Sequence, residues 1–213
     1  MTDTQKEKKS FLIWNMIGQG WQIMKKNVWQ LLGLQVVLVL LLVLLDALVD
    51  LVLPKVNFPI LNSLSAFIIS QCFAIGVLTL SLQFADAVEV KFTDFFSKLH
   101  TILIYFFATV LAGIATCLGL ILFIVPGLII GARFSLVGYL IIDKNMGIFE
   151  ALKASWNLVK GVTGRMIGFW LASSLVIFLG LLVLGVGLLF AFPTTSIASA
   201  LVYRKLVKEL ETA

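Results

Sequence analysis

Few residues in this chain are of a type that does chemistry, and most of those stand in apolar surroundings. Arg133 lies within VPGLIIGARFS, deep in one of the greasiest stretches. Counting from Gly119 and Asp143 predicts a position near the middle of a membrane. A guanidinium there costs at least about 2.5–3.5 kcal/mol, so it must face a protein interior or a wet cavity. Asp46 and Asp50 are one helical turn apart and share a face, which makes them its candidate countercharges. Gln35, Gln71 and Gln83 offer further polar groups in apolar runs. Such a set supports electrostatic chemistry: an anion or headgroup site, or a gating ion pair. A structural ion pair pinning the first apolar segment to the fourth would use the same residues.

Catalytic patterns are missing from the sequence. His100 is the sole histidine and sits beside Lys98 at a segment edge. There is no HExxH, GxSxG, paired carboxylate pattern or phosphate loop. Cys72 and Cys117 lack CxxC spacing and a nearby histidine cluster, so both read as small buried hydrophobes. Asp86 and Glu89 close the second apolar segment, where carboxylates can reach water. The expectation is therefore no enzyme, no cofactor and no metal site.

The elements that position these residues are membrane helices. Charged residues make up 13% of the 213, against about 25% in soluble domains. Mean hydropathy is +1.09. A spanning helix needs about 20 mostly apolar residues. Six segments meet that need, near 28–52, 60–86, 100–118, 120–142, 165–184 and 187–206. The predicted class is all-α: a polytopic helical bundle filling residues 11–213 behind a polar tail over residues 1–10. No cleaved signal peptide is expected, because no short apolar stretch with a small-residue cleavage site follows that tail. Six spans put both termini on one side, and nearly every Lys and Arg falls there; the other side carries only Lys55. That imbalance predicts cytoplasmic termini. The pI near 9.3 then reflects topology and anionic headgroups on the cytoplasmic face rather than nucleic acid. Membrane lipids are the expected partners.

Two further stretches are amphipathic. In GIFEALKASWNLVK the residues Glu150, Lys153, Asn157 and Lys160 form a polar face, opposed by Ile148, Phe149, Leu152, Trp156 and Val159. FLIWNMIGQGWQIMKK repeats the pattern 135 residues earlier, with Trp14, Trp21 and Lys25 as further interfacial residues. Each is expected to lie flat on the cytoplasmic surface or to dock against the end of the bundle. FTDFFSKLH looks like a shorter relative.

Half of 135 is near 67, and Pro59, Pro126 and Pro193 are spaced by 67 and 67. The spacing predicts three copies of one unit, near 11–88, 92–143 and 147–208. Each unit has a surface helix, an outgoing span and a proline-marked returning span. Turns near Gly119 and Gly185–Gly187 would leave Pro126 and Pro193 in the first half of their helices, with Pro59 at a helix start. Small residues at four-residue spacing, Gly127–Gly131–Ser135 and Ala108–Ala112, would let helices approach closely.

The proline–glycine helix with Arg133, then Glu150-Ala151-Leu152, Ser155-Trp156, Lys160-Gly161, and a last segment with Pro193 and Tyr203-Arg204 form an ordered pattern. It resembles bacterial six-helix inner-membrane proteins, the YciC-like group and the membrane domain fused to some glycerophosphodiester phosphodiesterases. The resemblance covers residues 95–208 well and the first third in outline. It implies a bacterial inner-membrane location and no assigned activity; the phosphodiesterase catalytic domain has no counterpart here. The expected function is a non-enzymatic envelope or lipid-associated role. The alternative is a small-solute or anion transporter or channel centred on Arg133.

Overall fold

The computed structural model describes residues 11–52, 59–88, 90, 93–94, 97–182 and 187–211. Within these, the side chains of 38–39, 41–42, 45–46, 49–52, 59–66, 68–69 and 99 lie outside the description. The described chain is helical, with no strand. Its α-helices are α1 (Ile13–Lys26), α2 (Val28–Val52), α3 (Pro59–Ala85), α4 (Ile102–Leu122) and α5 (Ile124–Phe134). They continue as α6 (Val137–Lys144), α7 (Ile148–Val159), α8 (Thr163–Leu182) and α9 (Leu188–Glu211).

Three stretches are long and apolar enough to cross a membrane: Ile102–Leu122, Ile124–Lys144 and Thr163–Leu182. Long apolar runs become helices because backbone hydrogen bonds must close within the segment when no water can take them. The outward faces of α4 and α8 expose Leu103, Phe107, Ile114, Leu118, Leu171 and Leu175. Such contiguous apolar exposure marks a surface facing lipid rather than water.

The core lies where the returning segments converge. Helix α3 packs on both α6 and α9, Tyr139 of α6 stacks on Tyr203 of α9, and α4, α8 and α2 lie against their outer sides. Ile75, Leu136, Ile141, Ile142, Ile197, Tyr203 and Leu206 are almost fully enclosed there. The C-terminal ends of α3, α6 and α9 meet at one end of the bundle, called here the proximal end. The α4–α5 turn lies at the other, distal end, where Gly180 of α8 also meets Gly187 before α9.

The prolines take three different positions. Pro59 opens α3, as predicted, and Pro193 sits inside α9. Pro126 lies in the first half of its helix, as expected, but the turn before it is displaced. The turn falls at Phe123, in extended conformation, and not near Gly119, so Pro126 occupies the first turn of α5. A proline there costs little, since first-turn N–H groups have no intrahelical acceptor. Gly119 serves close packing instead: a Cβ on it would meet Gly127 Cα at 2.9 Å.

Both amphipathic stretches form helices that pack against the bundle through their apolar faces. In α7, Ala151, Leu152, Ser155, Leu158 and Val159 are buried against the bundle, while Glu150, Lys153, Asn157 and Lys160 are exposed. Phe149 departs from the predicted apolar face and is exposed. Helix α1 crosses α9 at Gly20, where a Cβ would lie 2.5 Å from the Thr194 carbonyl oxygen. Trp14 and Trp21 remain exposed, and the Lys25 ammonium lies 5.6 Å from the Trp21 ring centroid. The FTDFFSKLH stretch forms only single 3-10 turns among its described residues. Cys117 is exposed on α4, contrary to the buried position expected of it, and Cys72 is half-buried.

Candidate functional site

Arg133 lies one residue before the end of α5, where the returning segment breaks; Ser135 and Leu136 separate α5 from α6. A break frees the last carbonyls of a helix. The Ser155 hydroxyl of α7 donates to the Arg133 carbonyl at 2.7 Å, which satisfies one of them. Buried Ser155 therefore couples the docked helix to the break.

The Arg133 side chain runs along the same helix. Its guanidinium carbon lies 4.3 Å from the centroid of the Trp156 ring. Phe134 packs on that ring too, with centroids 5.5 Å apart. A tryptophan face attracts a cation by its quadrupole, by about 2 kcal/mol when desolvated. It neutralises no charge, however, and accepts no N–H. Arg133 Nε is buried without a hydrogen-bond partner. Arg133 takes part in none of the ion pairs among the described residues.

The predicted partners are not assembled around it. The side chains of Asp46 and Asp50 lie outside the described residues. Their helix, α2, packs against α1, α3 and α9, whereas Arg133 sits between α5 and α7. Gln35 lies in a different place, a narrow apolar cavity of about 50 Å³ between α2, α3 and α9. Gln71 is half-buried on α3. Glu150 is exposed and accepts from the Gly147 N–H at 3.4 Å, at the start of α7. His100 is exposed beside the start of α4.

A second charged cluster, which sequence reasoning missed, stands at the proximal end. Arg204 of α9 binds Asp86 through two parallel hydrogen bonds, Nε to Oδ1 at 2.8 Å and Nη2 to Oδ2 at 2.6 Å. Its Nη1 donates to Asp143 Oδ2 at 2.8 Å. The Tyr203 hydroxyl donates to that same oxygen at 2.7 Å. One planar guanidinium thus ties the C-terminal ends of α3, α6 and α9 together, the bidentate geometry for which arginine is suited. The arginine and Asp86 side chains are about a third exposed and Asp143 is 16% exposed. Asp86, at the segment end where carboxylates can reach water, is also half of an ion pair. The partners are 118 and 61 residues apart, so spacing could not reveal them. The available signal was one acidic residue closing each of two returning segments, with Arg204 closing the third.

Among the described residues no cluster of His, Cys, Asp or Glu could hold a metal ion. No protein-family model matches the chain, and no solved structure matches it. The chain is 28% identical over 131 residues to the uncharacterized protein Rv2560 of Mycobacterium tuberculosis, and equally to the uncharacterized protein Mb2590 of Mycobacterium bovis. The match takes in 62% of this chain and spans 40% of the length of those relatives.

Proposed function

We propose that the protein is a six-span helical bundle of the bacterial inner membrane, with both termini cytoplasmic, and that it holds an anionic lipid headgroup at Arg133. The role is lipid-associated and non-enzymatic. The resemblance to YciC-like membrane proteins is consistent with that location. Three units of one plan account for the internal spacing. Helices α1 and α7 begin at Ile13 and Ile148, 135 residues apart, and Gly20 and Ser155 stand at the same offset. Each of those two residues touches a returning helix, α9 in one case and the end of α5 in the other.

The observation that carries the lipid reading is the guanidinium pressed on Trp156 with a buried, unpartnered Nε. A charge in that state needs an anion with several acceptors. A phosphate supplies both, and arginine binds it bidentately. The Trp156 face supports the guanidinium from one side. A solute path through Arg133 draws less support, since Arg133 is absent from the linings of the Gln35 cavity and of the cavity beside Tyr139.

Native mass spectrometry of the protein in detergent micelles doped with phosphatidylglycerol and phosphatidylethanolamine tests this. Retention of phosphatidylglycerol should fall about tenfold or more in Arg133→Ala, matching the loss of charged hydrogen bonds. Equal retention in an Arg133→Ala protein with wild-type thermal midpoint would overturn it.

A further inference from the structure

The bundle carries an open pocket of about 330 Å³ between α3, α6, α8 and α9. Its lining brings together Tyr139, Ser173, Ser174, Thr195, Ser196 and Ser199, with Phe169 and Trp170 on one wall. None of the residues around it carries a charge. On α8, Trp170, Ser173, Ser174 and Ile177 stand at i, i+3, i+4 and i+7, so a single helix face looks into it.

The hydroxyls divide by what they have left to offer. Thr195 donates to the carbonyls of Ala191 and Phe192, each at 3.0 Å, and Ser199 to the Thr195 carbonyl at 2.8 Å. Their hydrogens are engaged; the Thr195 lone pairs remain as acceptors, whereas the Ser199 hydroxyl also pairs with the Tyr139 hydroxyl. The Ser173 oxygen is buried without a partner. The Tyr139 hydroxyl reaches the Ser196 carbonyl only at 3.4 Å, long for an O–H donor. Donors and acceptors are thus both present, beside an aromatic wall.

We propose that this cavity binds a small uncharged polyol of three to six carbons. An ion is disfavoured, because none of the lining residues offers it a countercharge. A purely apolar occupant would leave the Ser173 hydroxyl unsatisfied at a cost of about 1–3 kcal/mol. A polyol both donates and accepts, and its C–H faces suit Phe169 and Trp170. The volume equals about ten waters at about 30 Å³ each, enough for such a chain. Below the cavity, Tyr139 stacks on Tyr203 at 5.3 Å, and Tyr203 is bonded to Asp143 in the Arg204 cluster. The floor of the site is therefore held by the ion pairs that join the returning helices. The proposal does not rest on the Arg133 headgroup site.

The test is titration of the purified full chain with xylitol, read by tryptophan fluorescence. Polyethylene glycol 400, an ether chain without a run of adjacent hydroxyls, is matched to it in osmolality. Wild type should give a saturable change with xylitol and none with the polymer. Trp170→Phe should abolish the change, and Arg133→Ala should leave it intact. Ser173→Val combined with Ser199→Val should weaken the apparent affinity about tenfold, the worth of one to two hydrogen bonds. Should that double variant fail to fold, Ser174→Leu fills the mouth from an exposed position and should weaken binding comparably. A non-saturable change, an equal change with the polymer, a signal surviving Trp170→Phe, or wild-type affinity in the folded valine or leucine variants would each overturn the proposal.

Discussion

Ion pairs of similar appearance here are worth different amounts. Arg204 makes three charged hydrogen bonds to two carboxylates, and one of those carboxylates is largely buried. Removing it leaves Asp86 and Asp143 beside each other without a cation. Arg204→Met should cost about 1.5–3 kcal/mol, read as a lower thermal midpoint in detergent. In a double-mutant cycle, Asp86→Leu should show coupling to it of about 0.5–3 kcal/mol. Lys144 and Glu211 also form a pair, at 3.3 Å, but their side chains are 42% and 64% exposed. Lys144→Met should change the midpoint by less than the equivalent of about 0.5 kcal/mol. Equal effects from the two substitutions would refute the assignment of Arg204 as the junction of the three returning helices. Arg133 was recognisable from sequence as a charge in the wrong surroundings. Its contact with Trp156 was not, because those residues are 23 positions apart and belong to elements whose docking no local pattern states.

Helix α1 reads as a surface helix from its periodicity, and the structure shows why it docks. Gly20 removes a side chain at the crossing, so α1 approaches the α9 backbone closely. Gly20→Ala should destabilise by about 1–3 kcal/mol through overpacking against a backbone that cannot give way. Gly18, one turn-half away, faces open space. Gly18→Ala should be neutral or stabilising by about 0.5–1 kcal/mol, because alanine is the better helix former. The same thermal scan separates the two; destabilisation by both would place α1 differently. A second element-level outcome concerns the α5–α6 break. Ser155→Ala removes the donor to the Arg133 carbonyl and should cost about 1–2 kcal/mol, whereas Ser155→Thr should retain much of it. The break itself was not legible. Residues 124–144 read as one apolar run, and nothing in GARFSLVG other than small residues announces an interruption at Ser135.

At the scale of the molecule, the apolar exteriors of α4 and α8 and the convergence of α3, α6 and α9 describe a bundle whose charges gather at the proximal end. The six-span reading makes that end cytoplasmic. In a background of Cys72→Ala and Cys117→Ala, Asn145→Cys should be blocked by an impermeant maleimide only in inverted vesicles. Phe123→Cys should be blocked only in right-side-out cells. The opposite pattern, or labelling of both positions from one side, would overturn the topology.

Composition and hydropathy by themselves determined that the chain is a membrane helix protein, because lipid admits only segments that satisfy their own backbone. The recurrence of prolines and of the amphipathic pattern also lay in the sequence, since a repeated unit leaves a period. Which charges meet did not. Asp86, Asp143 and Arg204 are brought together by the packing of three helices, and the hydroxyls beside Tyr139 become a cavity only when α8 lies across α9. Those contacts depend on crossing points such as Gly20, and a crossing point has no signature until both helices are in place.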